Sequence, residues 1–294
     1  MRGTHRWNTG RDRLAATASR RPVAGLVETY GNAGLGHIEK ELLRGACRVQ
    51  RMLGPRHRIL LACFPKSGST WLRTILSELP GIKSAWITES TGRGEQELSA
   101  WRVARASFGH FVAQHHVRYH DDTQRLVDQF RMKPVVLVRD IFDSVVSLLD
   151  HVKHRWPEIP QAFVTPELRS LPDEQVLDFL VDMAVPWYMD FYVSWTGCAD
   201  AVRLNYEELN ADPVAIVSEL LDRLGIAAAR GEVRGAIAAA DARDSLFNRA
   251  EIGRGRMLSE AQRARIVRQA SYYPSVDFAP IGLSGSVIAA HSSS

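Results

Sequence analysis

Apolar residues along this chain form short continuous runs that alternate with stretches of helical spacing. The runs Ile59–Phe64 and Val135–Val138 have the length of buried strands, and weaker strand patterns lie at 108–117 and 201–205. Helical spacing predicts helices over 37–53, 69–79, 121–131, 141–152, 173–195, 213–224, 230–241 and 259–270. Because strands and helices alternate, the sequence predicts a single α/β domain with a central parallel sheet flanked by helices.

These elements divide the chain into three predicted parts. Residues 1–55 form a basic N-terminal extension with one helix, 56–272 form the main domain, and 273–294 form a C-terminal tail. Two stretches that contain Pro and Gly, 80–100 and 153–172, are predicted as long loops. Long loops in compact domains often serve as lids or substrate walls.

Composition favours a globular protein and excludes several classes. The chain has 294 residues, 45% of them apolar, and no apolar run reaches the roughly 18 residues that a membrane span needs. We expect a cytoplasmic protein, because the basic N-terminus lacks the apolar core of a secretory signal. The scattered Cys47, Cys63 and Cys198 argue against structural zinc. A net charge of +4 suits anionic ligands, but no basic–aromatic stripe indicates a nucleic-acid partner.

The most informative segment is Pro65–Trp71, which reads PKSGSTW and lies between a predicted strand and a predicted helix. A loop of small residues at a helix start presents backbone N–H groups and a positive dipole end to a phosphate. Lys66 adds a positive charge, and because lysine is rare among the 37 basic residues of this chain, its presence in the loop argues against an incidental surface lysine. Lys66 precedes Gly68, and no GK[ST] sequence occurs, so the loop suits a phosphate-bearing donor better than Mg-ATP.

This loop resembles the 5′-phosphosulfate loop of the sulfotransferases that use 3′-phosphoadenosine 5′-phosphosulfate (PAPS), whose pattern is close to PKSGTTW. The resemblance implies a P-loop-like phosphosulfate loop in which Trp71 offers a face for adenine stacking. The cofactor-binding residues that it implies here are Lys66, Ser67, Gly68, Ser69, Thr70 and Trp71.

A second segment resembles the 3′-phosphate motif of the same family, an apolar strand followed by RNPxDxxxS. Here Val135–Val138 precedes Arg139, and Ser147 follows with the family's spacing, although Asp140 and Ile141 replace Asn and Pro. The resemblance implies that Arg139 and Ser147 hold the 3′-phosphate, the first as a charged fork and the second as a hydroxyl donor.

Two weaker segments fit the same family. Tyr206 begins a YEEL sequence that resembles the family's YEDL, whose Tyr lies near the adenine. The stretch 247–256 resembles a degraded RKGxxGDWK cap over the 3′-phosphate, and it would contribute Arg249 and Arg254. The alternative interpretations are a core or turn tyrosine and a basic surface loop.

The candidate general base lies in the strand pattern 110–117. In the family a strand ends in KTHL, and its His is the base. Aligning that pattern with Gln114–Val117 places the base at His116, and a shift of one residue would place it at His115. Because successive strand residues face opposite ways, only one of the two can point into the site.

The resemblance, which spans about 58–270, implies a PAPS-dependent sulfotransferase, so that 56–272 would be the sulfotransferase domain. PAPS would be the co-substrate and 3′,5′-adenosine bisphosphate (PAP) the product, with no metal. The acceptor would be a small molecule with a hydroxyl or amine. The alternatives are a P-loop kinase acting on a small alcohol and a non-catalytic nucleotide-binding protein. The sequence specifies neither the acceptor nor the oligomeric state.

Overall fold

The computed structural model describes residues 44–45, 47–49, 54–89, 94–155, 158–243 and 251–283. A five-stranded sheet lies at its centre, in the order β2-β3-β1-β4-β5, and every pair of neighbours is parallel. The strands are β1 (Arg58–Cys63), β2 (Ile82–Ser84), β3 (His110–His115), β4 (Lys133–Val138) and β5 (Val202–Asn205). This architecture confirms the predicted fold class.

Helices follow the strands as the connections between parallel neighbours require. The α-helices are α1 (Ser69–Glu78), α2 (Ala100–Ala106), α3 (Asp121–Phe130), α4 (Ile141–His154), α5 (Pro166–Ser170), α6 (Asp173–Met183), α7 (Val185–Thr196), α8 (Tyr206–Ala211), α9 (Pro213–Leu224), α10 (Arg230–Arg243) and α11 (Glu260–Ser271). Two 3₁₀ helices, Arg254–Met257 and Ala279–Ile281, lie near the C-terminal end.

The central strand β1 is buried along its whole length because both faces of the sheet are covered. On one face Ile59, Leu61 and Cys63 belong to an apolar cluster with α1, α9 and α10. Phe64, directly after β1, packs edge-on against Tyr188 and Phe191 of α7. A continuous apolar run in the sequence therefore became the buried centre of the sheet.

Some elements differ from the sequence-based prediction. The helix predicted over 173–195 is two helices, α6 and α7, and Pro186 stands in the first turn of the second. Proline has no N–H to donate to the preceding turn, so one continuous helix is not possible there. The loop predicted over 80–100 contains the edge strand β2 and an isolated bridge between Thr88 and Leu98.

The ends of the chain are only partly described. Residues 44–45 and 47–49 are helical, and the rest of the helix predicted over 37–53 lies outside the described residues. Near the other end, Phe278, Ile281 and Leu283 are buried. The Tyr192 hydroxyl donates to the Asp277 carbonyl at 2.7 Å. The boundaries at 55 and 272 stay predictions. Among the helices described, none is both long and apolar enough to cross a membrane.

Candidate functional site

The predicted site residues follow the carboxyl ends of four neighbouring strands. The loop Pro65–Gly68 comes just after β1, His116 after β3, Arg139 after β4 and Tyr206 after β5. In a parallel sheet these ends meet at one edge, which is where open α/β sheets bind ligands. The topology therefore brings together residues that are far apart in sequence.

The loop after β1 has a backbone that only particular residues tolerate. Gly68 has a φ of 77°, and a Cβ at this position would lie 2.5 Å from Cε2 of Tyr206. Lys66 also has a positive φ, 68°. Buried hydrogen bonds hold the loop, since the Ser67 hydroxyl donates to the Phe64 carbonyl at 2.7 Å and the Tyr188 hydroxyl to the Pro65 carbonyl at 3.1 Å. Tyr206 thus packs directly on the loop.

Positive charge and free backbone donors meet at this loop. Helix α1 begins at Ser69 with Gly68 as its N-cap, and in the described part of the chain no side-chain hydrogen bond caps its first turn. Burial lowers the pKa of Lys66, and the charges of Arg155 and Arg139 lower it further. An anion placed at the loop would relieve this repulsion and accept from the helix N-terminus.

The remaining loop residues anchor α1. The Ser69 hydroxyl accepts from Nε2 of Gln114 at 2.9 Å, and the Thr70 carbonyl accepts from the Thr74 hydroxyl at 2.8 Å. Trp71 packs partly against the apolar cluster, and its Nε1 donates to Asp241 of α10 at 3.0 Å. The indole orientation is therefore set by α10.

His116 is positioned with one ring nitrogen occupied. Its Nδ1 lies 2.9 Å from the Cys63 carbonyl, and its backbone N–H donates to Oε1 of Gln96 at 2.7 Å. A carbonyl can only accept, so Nδ1 carries the proton, and Nε2 has a lone pair that no described residue contacts. Burial lowers the pKa of His116, and the charge of Lys66 acts in the same direction, whereas the hydrogen bond to Cys63 opposes them.

His115 lies in a different environment from its neighbour. Its ring is fully buried, its Nε2 accepts from the Ile87 N–H at 3.1 Å, and its Nδ1 lies 3.4 Å from the Thr88 hydroxyl. Burial lowers its pKa to about 3, with a further contribution from His116. Both ring nitrogens of His115 therefore support the segment after β2.

Arg139 is fully buried and bridges three segments. Its guanidinium donates to the Lys66 carbonyl at 3.1 Å, to Oδ2 of Asp143 at 3.3 Å and to the Glu251 carbonyl at 3.0 Å. It also lies 4.9 Å from the centre of the Tyr206 ring. The Nε of Arg139 is buried and has no hydrogen-bond partner among the described residues, so a donor remains for a phosphate, and the role of Arg139 in phosphate binding stays a prediction.

Ser147 belongs to α4, and Arg254, which begins the 3₁₀ helix Arg254–Met257, contacts the same α-helix. Ser147 is in the second turn of α4, and Arg254 forms an ion pair with Asp150 three residues further on. Within the described part of the chain, the Ser147 hydroxyl has no hydrogen-bond partner, unlike that of Ser144, which donates to the Asp140 carbonyl at 2.8 Å. Arg249 lies outside the described residues.

Asp143 was missed as a site residue by the sequence analysis. Its carboxylate accepts from the backbone N–H of Gly253 at 2.8 Å and of Gly255 at 2.6 Å, besides the contact with Arg139. It therefore holds the 251–257 segment against α4. The signal that could have identified it is its position four residues after Arg139 and four before Ser147, on one helical face.

A cavity of about 290 Å³ opens beside the candidate base. Its lining residues are Arg73, Ser84, Ala85, Trp86, Gln96, Gln114 and His116. In the described residues, no group of three or more His, Cys, Asp or Glu side chains is arranged to hold a metal ion. The candidate site therefore combines the positively charged loop after β1, a histidine whose Nε2 has no partner among the described residues, and a cavity that this histidine lines.

Solved structures share this fold. The mouse sulfotransferase SULT7A1 in complex with PAP matches with a TM-score of 0.58 at 16% identity, covering 83% of this chain and 92% of that chain. Retinol dehydratase in complex with androsterone and the inactive cofactor PAP matches with a TM-score of 0.50 at 12% identity, covering 79% and 85%. Identities this low show the fold alone.

Comparison with curated proteins found no match. The family model of the sulfotransferase domain, in contrast, matches residues 56–241. This match spans more than half of the chain and includes the loop after β1, both candidate histidines, Arg139, Ser147 and Tyr206. The chain belongs to the sulfotransferase domain family.

Proposed function

We propose that this protein transfers the sulfuryl group of PAPS to a hydroxyl or amine of a small-molecule acceptor, with His116 as the general base. The observation that carries the proposal is the position of His116 beside the loop Pro65–Gly68. Its Nδ1 donates to the residue that ends β1, which leaves Nε2 free next to a cavity.

The donor assignment rests on charge and on the neighbours. The loop supplies the N-terminal N–H groups of α1 and Lys66, α4 supplies the Ser147 hydroxyl, and Arg254 pairs with Asp150 of the same helix. Both solved neighbours were crystallised with PAP. PAPS would supply the sulfuryl group and leave the site as PAP. These side chains match the two anionic ends of PAPS, the 5′-phosphosulfate and the 3′-phosphate.

The base would act on the acceptor. Nε2 of His116 would take the acceptor's proton as the acceptor oxygen or nitrogen attacks sulfur and the bond from sulfur to the phosphate oxygen breaks. Cys63 holds the ring by its carbonyl, so the free nitrogen keeps its direction during the step. His115 cannot replace it in this arrangement, because both of its ring nitrogens are engaged and its ring is buried.

Lys66 and the loop N–H groups would stabilise the leaving group. Negative charge grows on the phosphate oxygen as its bond to sulfur breaks, and donors fixed around that oxygen lower the barrier. The hydrogen bonds of Ser67 and Tyr188 keep the loop backbone in place before the donor binds. Preorganisation of this kind needs no rearrangement during the reaction.

PAP is expected to raise the melting temperature of the protein far more than adenosine 5′-monophosphate at equal concentration. A ligand that binds only the folded state stabilises it by mass action, and the monophosphate lacks the group that would contact Ser147 and its neighbours. Thermal melting with each nucleotide measures the difference. Equal shifts would contradict the assignment of the 3′-phosphate site.

The pH profile of kcat/KM is expected to fall on the acid side at a pH below about 6.5, the ordinary pKa of histidine. A base must be neutral to act, and burial together with Lys66 lowers the pKa of His116. His151 also lies close to Lys66 and His116, and burial lowers its pKa to about 4, so it would not produce an acid limb near neutral pH. An acid limb above pH 7 would contradict this assignment.

The two alternative functions are a P-loop kinase and a non-catalytic nucleotide-binding protein, and different observations test them. Membership in the sulfotransferase family argues against the kinase. A non-catalytic nucleotide-binding protein predicts a thermal shift with PAP but no release of PAP from PAPS with any acceptor. Incubation with PAPS and a panel of phenols, alcohols and amines, with detection of PAP, distinguishes it from the enzyme.

A further inference from the structure

Arg73 is a cation in the wall of the candidate acceptor cavity, and no described residue pairs with it. It lies one turn into α1, it is only partly exposed, and its Nε is buried without a hydrogen-bond partner. In the part of the chain that the structure describes, Arg73 forms no ion pair and no hydrogen bond. Placing a guanidinium in such a position costs free energy unless an acceptor joins it.

No residue of the same helix can neutralise Arg73. The positions three and four residues away, which are its neighbours on the helix surface, are Ser69, Thr70, Leu76 and Ser77. The nearest acidic residue along α1, Glu78, pairs instead with Arg243 at 2.6 Å. Among the described residues, the charge of Arg73 therefore has no protein counter-charge.

The other described residues of the cavity wall also lack a carboxylate. Gln96 lines the cavity and uses Oε1 to accept from the His116 N–H. Its NH₂ group has no protein acceptor among the described residues. Trp86 is 48% exposed and stands edge-on to the His115 ring, with ring centres 4.8 Å apart. The cavity thus combines donors, positive charge and one aromatic face.

We infer that the acceptor carries an anionic group, such as a carboxylate, in addition to the hydroxyl or amine that receives the sulfuryl group. Arg73 binds that anion, and Trp86 contacts the body of the acceptor. The volume of about 290 Å³ is near the lower end of the roughly 300–1,000 Å³ of small-molecule pockets, which suits an acceptor of one or two rings. This inference rests on the proposed function.

Matched acceptor pairs test the anion directly. One pair is 4-hydroxyphenylacetate and 4-hydroxyphenylacetamide, and a second is methyl glucuronide and methyl glucoside. With PAPS, we expect kcat/KM to favour the anionic member by about 10- to 100-fold, the range of a hydrogen bond to a charged group. The anionic member should also raise the melting temperature of the PAP-saturated protein more than its neutral partner.

Substitution of Arg73 then tests whether this residue causes the preference for the anionic acceptor. In Arg73→Gln the ratio within each pair should fall to near one, and Arg73→Lys should keep part of it. The matched control is Arg125→Gln, because Arg125 pairs with Asp122 on the surface of α3, and it should keep the full ratio. The thermal shift with PAP should be the same in all variants, which shows that they fold and bind the donor.

The outcomes separate this inference from the proposed function. No PAP shift in the wild-type protein, together with no PAP release from PAPS, contradicts the proposed function. A normal PAP shift with equal use of both members of each pair, or with no binding and no turnover of either, overturns the inference. A preference that survives in Arg73→Gln overturns it as well, and so does loss of PAP binding in that variant.

Discussion

Replacing His116 by alanine is expected to reduce kcat for sulfuryl transfer by about 10²- to 10⁴-fold. Nε2 is the free nitrogen beside the cavity, so its loss leaves the acceptor without a proton acceptor in the transition state. An alcohol acceptor should lose more activity than a phenol, because a phenol gives up its proton more readily. Initial rates of PAP release from PAPS measure the effect.

Donor binding provides the first control for this variant. His116 is proposed to contact the acceptor, so the thermal shift with PAP should be unchanged in His116→Ala. His120→Ala is the matched surface control, because His120 is exposed and pairs with Glu97 at 2.7 Å. It should keep normal rates.

His115→Ala tests the alternative register. It should lower the melting temperature, because it removes the acceptor of the Ile87 N–H and leaves a buried group unpaired. Its effect on kcat should be milder than that of His116→Ala. Loss of transfer in His115→Ala with normal transfer in His116→Ala would show that the alignment is one residue out. If both variants transfer the sulfuryl group at the normal rate, the base is another residue.

Replacing Lys66 by alanine is expected to reduce kcat by about 10²- to 10³-fold, as the loss of one donor to a developing oxyanion does in other enzymes. Its charge lies at the loop where the bond to the leaving phosphate would break. Stability should change little, because the hydrogen bonds that fix the loop come from Ser67 and Tyr188.

Steady-state kinetics with PAPS, together with thermal melting, check the Lys66 prediction. Lys133→Ala serves as the control, since Lys133 is an exposed lysine at the start of β4. Normal turnover in Lys66→Ala would exclude a role at the leaving oxygen. A large fall in melting temperature without nucleotide would instead indicate a structural role.

Much of the fold follows from the sequence pattern alone. Ile59–Phe64 and Val135–Val138 are continuous apolar runs, and a strand buried on both faces in a parallel sheet needs such a run. The PKSGSTW loop was recognisable because Gly68 and the small hydroxyl residues stand where a strand turns into a helix. Its Gly is required by a positive φ and by the close approach of Tyr206.

Short elements could not be predicted in the same way. β2 has three residues, Ile82–Ser84, and α5 has five, Pro166–Ser170, which is too few to show a period. The prediction of one long helix over 173–195 was wrong. The helical spacing of apolar residues continues through Pro186, but the series of backbone hydrogen bonds is interrupted there. Periodicity reports burial, and it does not report where backbone donors are missing.

The sequence by itself determined which residue types stand after each strand, and these residue types predict a phosphate-binding edge. Only the tertiary structure decided how neighbouring side chains divide their roles. His115 and His116 are adjacent in sequence, yet one supports Ile87 and the other faces a cavity, because the strand alternates faces at that edge. Arg73 belongs to no sequence motif. Its lack of a partner among the described residues depends on which side chains come near it in space, and local sequence spacing does not encode that.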